Sequence, residues 1–159
     1  MSFTTAYEKW YQDHLERRSG ERKDRLKRGL GHGEKVFLEK VWWPLFGHFD
    51  GLHPEYEVAD WRNMNYFVDL MWRMGSVSIA FEIKGYGPHV QQTDRTRYRR
   101  ELNREMFLQG LGFQVVSILC PDEHCSIFGT WGGAQYIIQS FRTRYHAARY
   151  AYREGNTAG

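Results

Sequence analysis

The sequence predicts an α/β fold, a mixed sheet flanked by helices, and three observations carry that expectation. Residues 77–84 alternate with a period of two: Val77, Ile79, Phe81 and Ile83 share one face, and Ser78, Ala80, Glu82 and Lys84 the other. A second β-rich run, residues 66–74, precedes it across Gly75-Ser76, a turn suited to a hairpin. A helical stretch then separates residues 77–84 from an apolar run at 113–119, which invites a parallel crossover.

In chain order, residues from about 4 to 28 are polar, rich in helix formers and free of proline, so they read as one basic helical arm with a thin apolar stripe, closed by Gly29, Gly31 and Gly33. Helix should restart near Gly33 and run to Trp43, where Pro44 opposes continuation. At about 100° per residue, Glu34, Phe37, Leu38, Val41 and Leu45 fall on one face of it. A Gly-, His-, Asp- and Pro-rich loop at 47–54 leads to a first strand near 56–61. In the second strand, 66–74, Val68, Leu70 and Trp72 should face the core and Asp69 the other side.

Gly85-Tyr86-Gly87-Pro88 breaks the third strand, and a helix from about 94 to 111 follows, stopped by Gly112. Residues 113–119 read as a buried strand, and 135–153 as a helix with Tyr136, Ile137, Phe141 and Tyr145 on or near one side. The 159 residues suit a single domain: a basic helical arm at 1–30, a core at 33–120 and a C-terminal helical extension at 121–159.

Composition excludes several classes. With 42% hydrophobic and 16% aromatic residues, the chain has enough apolar surface to fold. The two cysteines, Cys120 and Cys125, support neither a disulfide framework nor a structural zinc. No run approaches membrane-spanning length and the N-terminal residues lack an apolar signal core, so the expected setting is cytoplasmic, with no membrane partner. Lys and Arg number 22 against 19 Asp and Glu, and the net charge of +3 does not by itself argue for nucleic acid. Its arrangement says more: one basic group lies between Arg17 and Arg28, and another comprises Arg95, Arg97, Arg99, Arg100 and Arg104. Both suit phosphates, and both, laced with Glu and Asp, also read as solvated helix faces.

The chemistry is concentrated near the end of the third strand. Glu82 and Lys84 lie two residues apart on the face that carries small Ser78 and Ala80, which leaves space beside them. Asp69, in the preceding strand, comes beside Glu82 if the two strands form a hairpin. Two facing carboxylates repel unless a cation bridges them, and Mg²⁺, with Mn²⁺ as substitute, accepts such carboxylates along with waters and phosphate oxygens. Lys84 is placed to orient an attacking water, and Glu34 to hold a metal-bound water or second ion. These are the requirements of phosphodiester hydrolysis.

These residues resemble the PD-(D/E)XK nuclease superfamily, the restriction-endonuclease-like fold, and within it the small branch related to very-short-patch repair endonucleases. The resemblance spans about residues 34–119: Glu34 in His32-Gly33-Glu34, Asp69 in Phe67-Val68-Asp69, the run Phe81-Glu82-Ile83-Lys84-Gly85-Tyr86-Gly87-Pro88-His89, and the arginine-bearing helix before Gly112-Phe113-Gln114-Val115-Val116. It implies a core of helix, three-stranded meander, helix and strand. It also implies metal ligation by Asp69 and Glu82, with the Ile83 backbone carbonyl and Glu34 contributing, and a water-handling Lys84. The chain departs from the pattern in lacking a proline before Asp69, and from the nearest branch in carrying Lys84 where many members have aspartate.

His89, Arg95, Arg99 and Arg104 are the expected nucleic-acid contacts, with a loop histidine and exposed helix charge as the alternatives. Trp42, Trp43, Phe46, Phe49 and Trp61 read as core rather than a base-stacking platform, and His48, Asp50 and His53 as loop residues. The expected function is metal-dependent endonucleolytic hydrolysis of DNA, RNA being undistinguished and a homodimer compatible with it. The alternative is a non-catalytic nucleic-acid-binding or regulatory protein on the same fold.

Overall fold

A computed structural model describes residues 1–60, 62–85, 95–120 and 132–144. Two N-terminal helices, α1 (Phe3–Glu16) and α2 (Gly20–Lys27), precede α3 (His32–Phe37), a π-helical segment (Leu38–Trp42) and α4 (Trp43–Phe46). Strands β1 (Leu52–Ala59), β2 (Asn65–Met74) and β3 (Val77–Gly85) then form an antiparallel meander. Helix α5 (Arg95–Gly110) carries the chain back to β4 (Gln114–Cys120), parallel to β3, and a last helix, α6, covers 132–144. The fold is mixed α/β, with one four-stranded sheet in the order β1-β2-β3-β4.

The expected single arm is two helices, broken at Arg17–Ser19, and its stripe is better buried than it looks. Trp10, Leu26 and Leu30 join the same core as Phe37, Trp42, Trp72 and Phe81. Trp10 Nε1 donates to the Leu52 carbonyl at 2.9 Å, tying α1 to the first residue of β1. The arm's arginines are also committed to the sheet. Arg18, buried, donates to the carbonyls of Pro54 and Glu55, Arg25 pairs with Glu55 at 3.0 Å, and Arg22 lies 3.5 Å from Glu57.

Pro44 does not end the helix as expected; helical backbone continues through it to Phe46. A proline lacks an N–H and crowds the carbonyl four residues back. The wider π turns of 38–42 immediately upstream change that pairing and absorb the defect. Gly47, at φ +65°, closes α4, its N–H reaching Trp43 O at 2.9 Å.

β1 begins at Leu52, earlier than the expected 56, and so contains Pro54. An edge strand tolerates this because the missing N–H need not face a neighbour. β3 keeps its expected alternation: Ile79 and Phe81 enter the large core under the N-terminal helices, and Ala80 packs with Leu108 of α5 on the other face. β4 is an edge strand with Ile118 buried but Gln114, Ser117 and Leu119 exposed, not the buried strand its apolar run suggests. On α6 the buried positions are Ala134 and Ile138, with Phe141 packed beside them. Tyr136 and Ile137, expected on or near one side with Phe141, are exposed. Trp61, Cys125 and Tyr145 lie outside the described residues.

Between β1 and β2 the register is constant, yet the faces exchange. Leu70, paired with Pro54, belongs to the core under the helical layer, whereas Val68, paired with Tyr56, packs with Met71, Val58 and Leu108 on the α5 side. The exchange occurs at Glu55, held at φ +43°, opposite Asp69. A non-glycine residue in that region is uncommon and marks a local kink. The expectation that Val68, Leu70 and Trp72 share one face therefore fails at this point.

Candidate functional site

The kink places Asp69 at the fork between β2 and β3. Pairing of these strands ends at Leu70 with Phe81. One step further, Asp69 Oδ2 accepts the main-chain N–H of Ile83 at 2.7 Å. The carboxylate thus takes over the role of a strand carbonyl where β3 runs on past its pairing with β2, still paired with β4, Glu82 standing opposite Ser117 and Lys84 opposite Leu119.

Glu82 and Arg18 are the buried charged residues among those described. Glu82 Oε1 accepts from the Tyr66 hydroxyl at 2.8 Å and from an Arg104 guanidinium nitrogen at 3.0 Å; that nitrogen also lies 3.0 Å from Oε2 and donates to Phe67 O at 2.7 Å. The Arg104 guanidinium sits 3.9 Å above the Tyr66 ring, a cation–π layer on one side of the carboxylate. Lys84 Nζ pairs with Glu101 of α5 at 3.1 Å. Glu105 accepts from Ser117 of β4 at 2.9 Å.

Glu34 sits in the first turn of α3. Its carboxylate accepts main-chain hydrogen bonds at Gly31 and at Glu34 itself, the backward half of a capping box with Gly31 as N-cap. Burial, first, raises its carboxyl above the usual range, and the Glu55 carboxylate adds to this.

The electrostatics connect these groups. Burial, first, and then the Glu34 and Glu55 carboxylates raise Asp69 to about 7, against the Ile83 N–H and Arg25. Burial and then the Asp69 carboxylate push Glu82 up to about 9, with Lys84 working the other way. Asp69 ionises first, and its charge then opposes ionisation of Glu82. The hydrogen bonds from Tyr66 and Arg104 favour the carboxylate form and temper that effect.

Of the residues the sequence singles out, Asp69, Glu82 and Lys84 gather at the fork. Glu34 acts on Asp69 through its charge while its oxygens serve α3. Arg104 belongs to the site through Glu82. Arg95 and Arg99 are exposed on α5, and His89 lies outside the described residues. Tyr66, Glu101, Glu55 and Arg25 were not anticipated. Helical spacing does offer a signal for part of this set, since Glu101, Arg104 and Leu108 recur on one face of α5. Glu55 carries none, because its positive φ is imposed by the fold.

For a divalent cation, the available donors are the two carboxylates and the Ile83 carbonyl, hard oxygens of the kind Mg²⁺ accepts together with water. Among the described residues no group of three or more His, Cys, Asp or Glu side chains is arranged to hold a metal. The donor chemistry fits a two-carboxylate site that solvent or substrate oxygens would complete, and not a closed protein cage. No helix among the described residues is long and apolar enough to cross a membrane. Compared with protein-family models, curated proteins and solved structures, the chain matches none.

Proposed function

We propose that the chain is a divalent-metal-dependent nuclease of the PD-(D/E)XK type, hydrolysing DNA phosphodiester bonds at the fork of β2 and β3. The observation that carries this reading is the coupled pair, Asp69 and Glu82: two desolvated carboxyl groups at the point where two strands part, the charge of one raising the other. Burying such a pair costs stability unless a cation or a proton compensates. A site that accepts this cost is a candidate for chemistry.

In this reading Asp69, Glu82 and the Ile83 carbonyl hold Mg²⁺ or Mn²⁺. When bound there, such a cation would supply charge neutralisation at the phosphoryl oxygens and a more acidic water. Lys84, two residues beyond Glu82 on β3, orients the attacking water and favours its hydroxide form. Glu34 keeps the helix start packed at the fork and adds negative potential that attracts the metal. Arg95, Arg99 and Arg104 on α5 are the phosphate contacts. The expected cellular setting is the cytoplasm.

A specific observation favours a second reading. Both oxygens of Glu82 lie at 3.0 Å from Arg104, so the protein supplies this carboxylate with a cation of its own. A regulatory or binding protein that has kept the fold without turnover would use the pair in this way.

The test is cleavage of labelled DNA, with an RNA of the same sequence in parallel, in Mg²⁺ or Mn²⁺. Wild-type protein is expected to cleave, and Asp69→Asn and Lys84→Ala to lose about 10²-fold or more. Cleavage undiminished in both variants removes the fork from the chemistry. Salt-sensitive binding without cleavage in any metal selects the second reading.

A further inference from the structure

We infer that the cleft between the start of β2 and α5 is a nucleotide subsite, which takes one unstacked nucleotide of a nucleic-acid strand beside Glu82. The inference rests on the nuclease reading for its function and names the substrate feature that the site would select. The cleft has a volume of about 570 Å³, inside the range of roughly 300–1,000 Å³ usual for small-ligand sites.

Its lining supplies each element of nucleotide recognition. The Arg104 guanidinium carbon lies over the Tyr66 ring, 3.9 Å from its centroid, and a planar base adds to such a cation–π layer by stacking. Asn65 and Asn103 line the same cleft, and a side-chain amide offers both a donor and an acceptor to a base edge. Arg62, Arg100 and Arg104 face a single lining carboxylate, that of Asp60. This carboxylate is already engaged: it pairs with Arg62 at 3.0 Å and accepts the main-chain N–H groups of Arg62 and Met64, both at 2.8 Å.

Among the described residues, buried Arg104 Nε has no hydrogen-bond partner. A buried donor left in this state is costly, and an arriving phosphate oxygen would satisfy it or draw the guanidinium into a two-pronged contact. Tyr66 and Arg104 also touch Glu82 directly, so a nucleotide held against them adjoins the fork. Inside a duplex, a base has both faces covered and its edge paired. A cleft that offers a stacking layer and amides therefore selects an unpaired nucleotide.

The experiment is fluorescence anisotropy of the full chain in EDTA, with a labelled single-stranded oligo-dT and a duplex of equal length. Arg100 and Asn103 are exposed, so Arg100→Ala and Asn103→Ala leave the fold intact. Wild-type protein is expected to prefer the single strand. The double variant is expected to lose about tenfold on it and little on the duplex, while Lys9→Ala, an exposed cation on α1, leaves the preference unchanged. Equal losses on strand and duplex overturn the subsite, because they mark a general charge effect. So does dTMP competing as well as the oligonucleotide, which would make the cleft a free-nucleotide site. Cleavage assays run on the same samples separate the two ideas. Asp69-dependent cleavage with no strand preference overturns the subsite alone, and the expected preference without cleavage retains the subsite and ends the nuclease reading.

Discussion

Asp69 accepts the Ile83 N–H at 2.7 Å just where β2 and β3 stop pairing, so one side chain both closes the sheet ladder and carries charge into a buried fork. Asparagine keeps the acceptor and removes the charge, which lets the two roles be separated.

The pH dependence follows in sign. The folded Asp69 carboxyl is raised from 3.8 to about 7, and Glu82 from 4.5 to about 9. Folded protein therefore holds protons that the unfolded chain has released, and the stability associated with them is fully present below the unfolded values. It is lost as pH rises from about 4 to 7 for Asp69 and on toward 9 for Glu82. Asp69→Asn should flatten the first part of that decline and stabilise the metal-free protein near pH 8 by on the order of 1–3 kcal/mol. Urea unfolding across this range checks it, and a variant curve parallel to wild type would show that Asp69 is not the group responsible. Adding Mg²⁺ should raise Tm near pH 8 in wild type and much less in Asp69→Asn.

The meander and the crossover were legible because their signals are local. Alternation in β3, the turn at Gly75 and the stop at Gly112 each depend on a few adjacent residues. The site was legible to the extent that Glu82 and Lys84 share a parity on one strand. What escaped depends on tertiary context. Pro44 reads as a breaker because a π segment is invisible to propensity, and Pro54 as a loop residue because edge position is unknown in advance. The face exchange at Glu55 has no sequence mark, so alternation alone puts Val68 on the face of Leu70 and Trp72. Arg104 reads as a phosphate contact, whereas its hold on Glu82 over the Tyr66 ring depends on α5, β2 and β3 meeting in space.

Arg104→Gln should destabilise the protein by about 1–2 kcal/mol near neutral pH, since the guanidinium is partly exposed and its pairing correspondingly screened. It removes the charge-assisted bonds to Glu82 and weakens the tie to Phe67 O. Tyr66→Phe, which deletes one hydrogen bond to the same oxygen, should cost about 1 kcal/mol. In a double-mutant cycle the two losses should be less than additive, because both substitutions remove a donor to the same Glu82 oxygen. Full additivity in chemical denaturation would mean that the two contacts are independent.

Gly112 ends α5 in a Schellman motif: the Phe113 N–H reaches Leu108 O at 3.1 Å and the Gly112 N–H reaches Gln109 O at 2.9 Å, with Gly112 at φ +84°. A Cβ at this position would meet nothing within 4 Å, so any penalty is conformational. Gly112→Ala should cost about 1 kcal/mol and Gly112→Asn less, since asparagine tolerates the left-handed region. Thermal unfolding of the two variants decides, and equal Tm values for alanine and wild type would contradict the argument.

His14 supplies an acid-side limit to stability. Its ring lies near the end of α1, with Nε2 3.2 Å from Leu52 O, the carbonyl that also accepts from Trp10. Burial, first, and then the Arg18 charge and His53 lower it from 6.5 to about 4. The folded state therefore binds this proton less readily than the unfolded chain, and stability drops as pH falls from about 6.5 to 4. This slope opposes those of Asp69 and Glu82 over the same range and offsets part of their decline. Replacing His14 with glutamine, which retains a donor for Leu52 O, should remove the acid-side loss and leave the Asp69 decline exposed. The variant should then become progressively more stable as pH is lowered from 6.5 toward 4, measured by urea unfolding. A profile that still falls toward acid would place the proton uptake at another group.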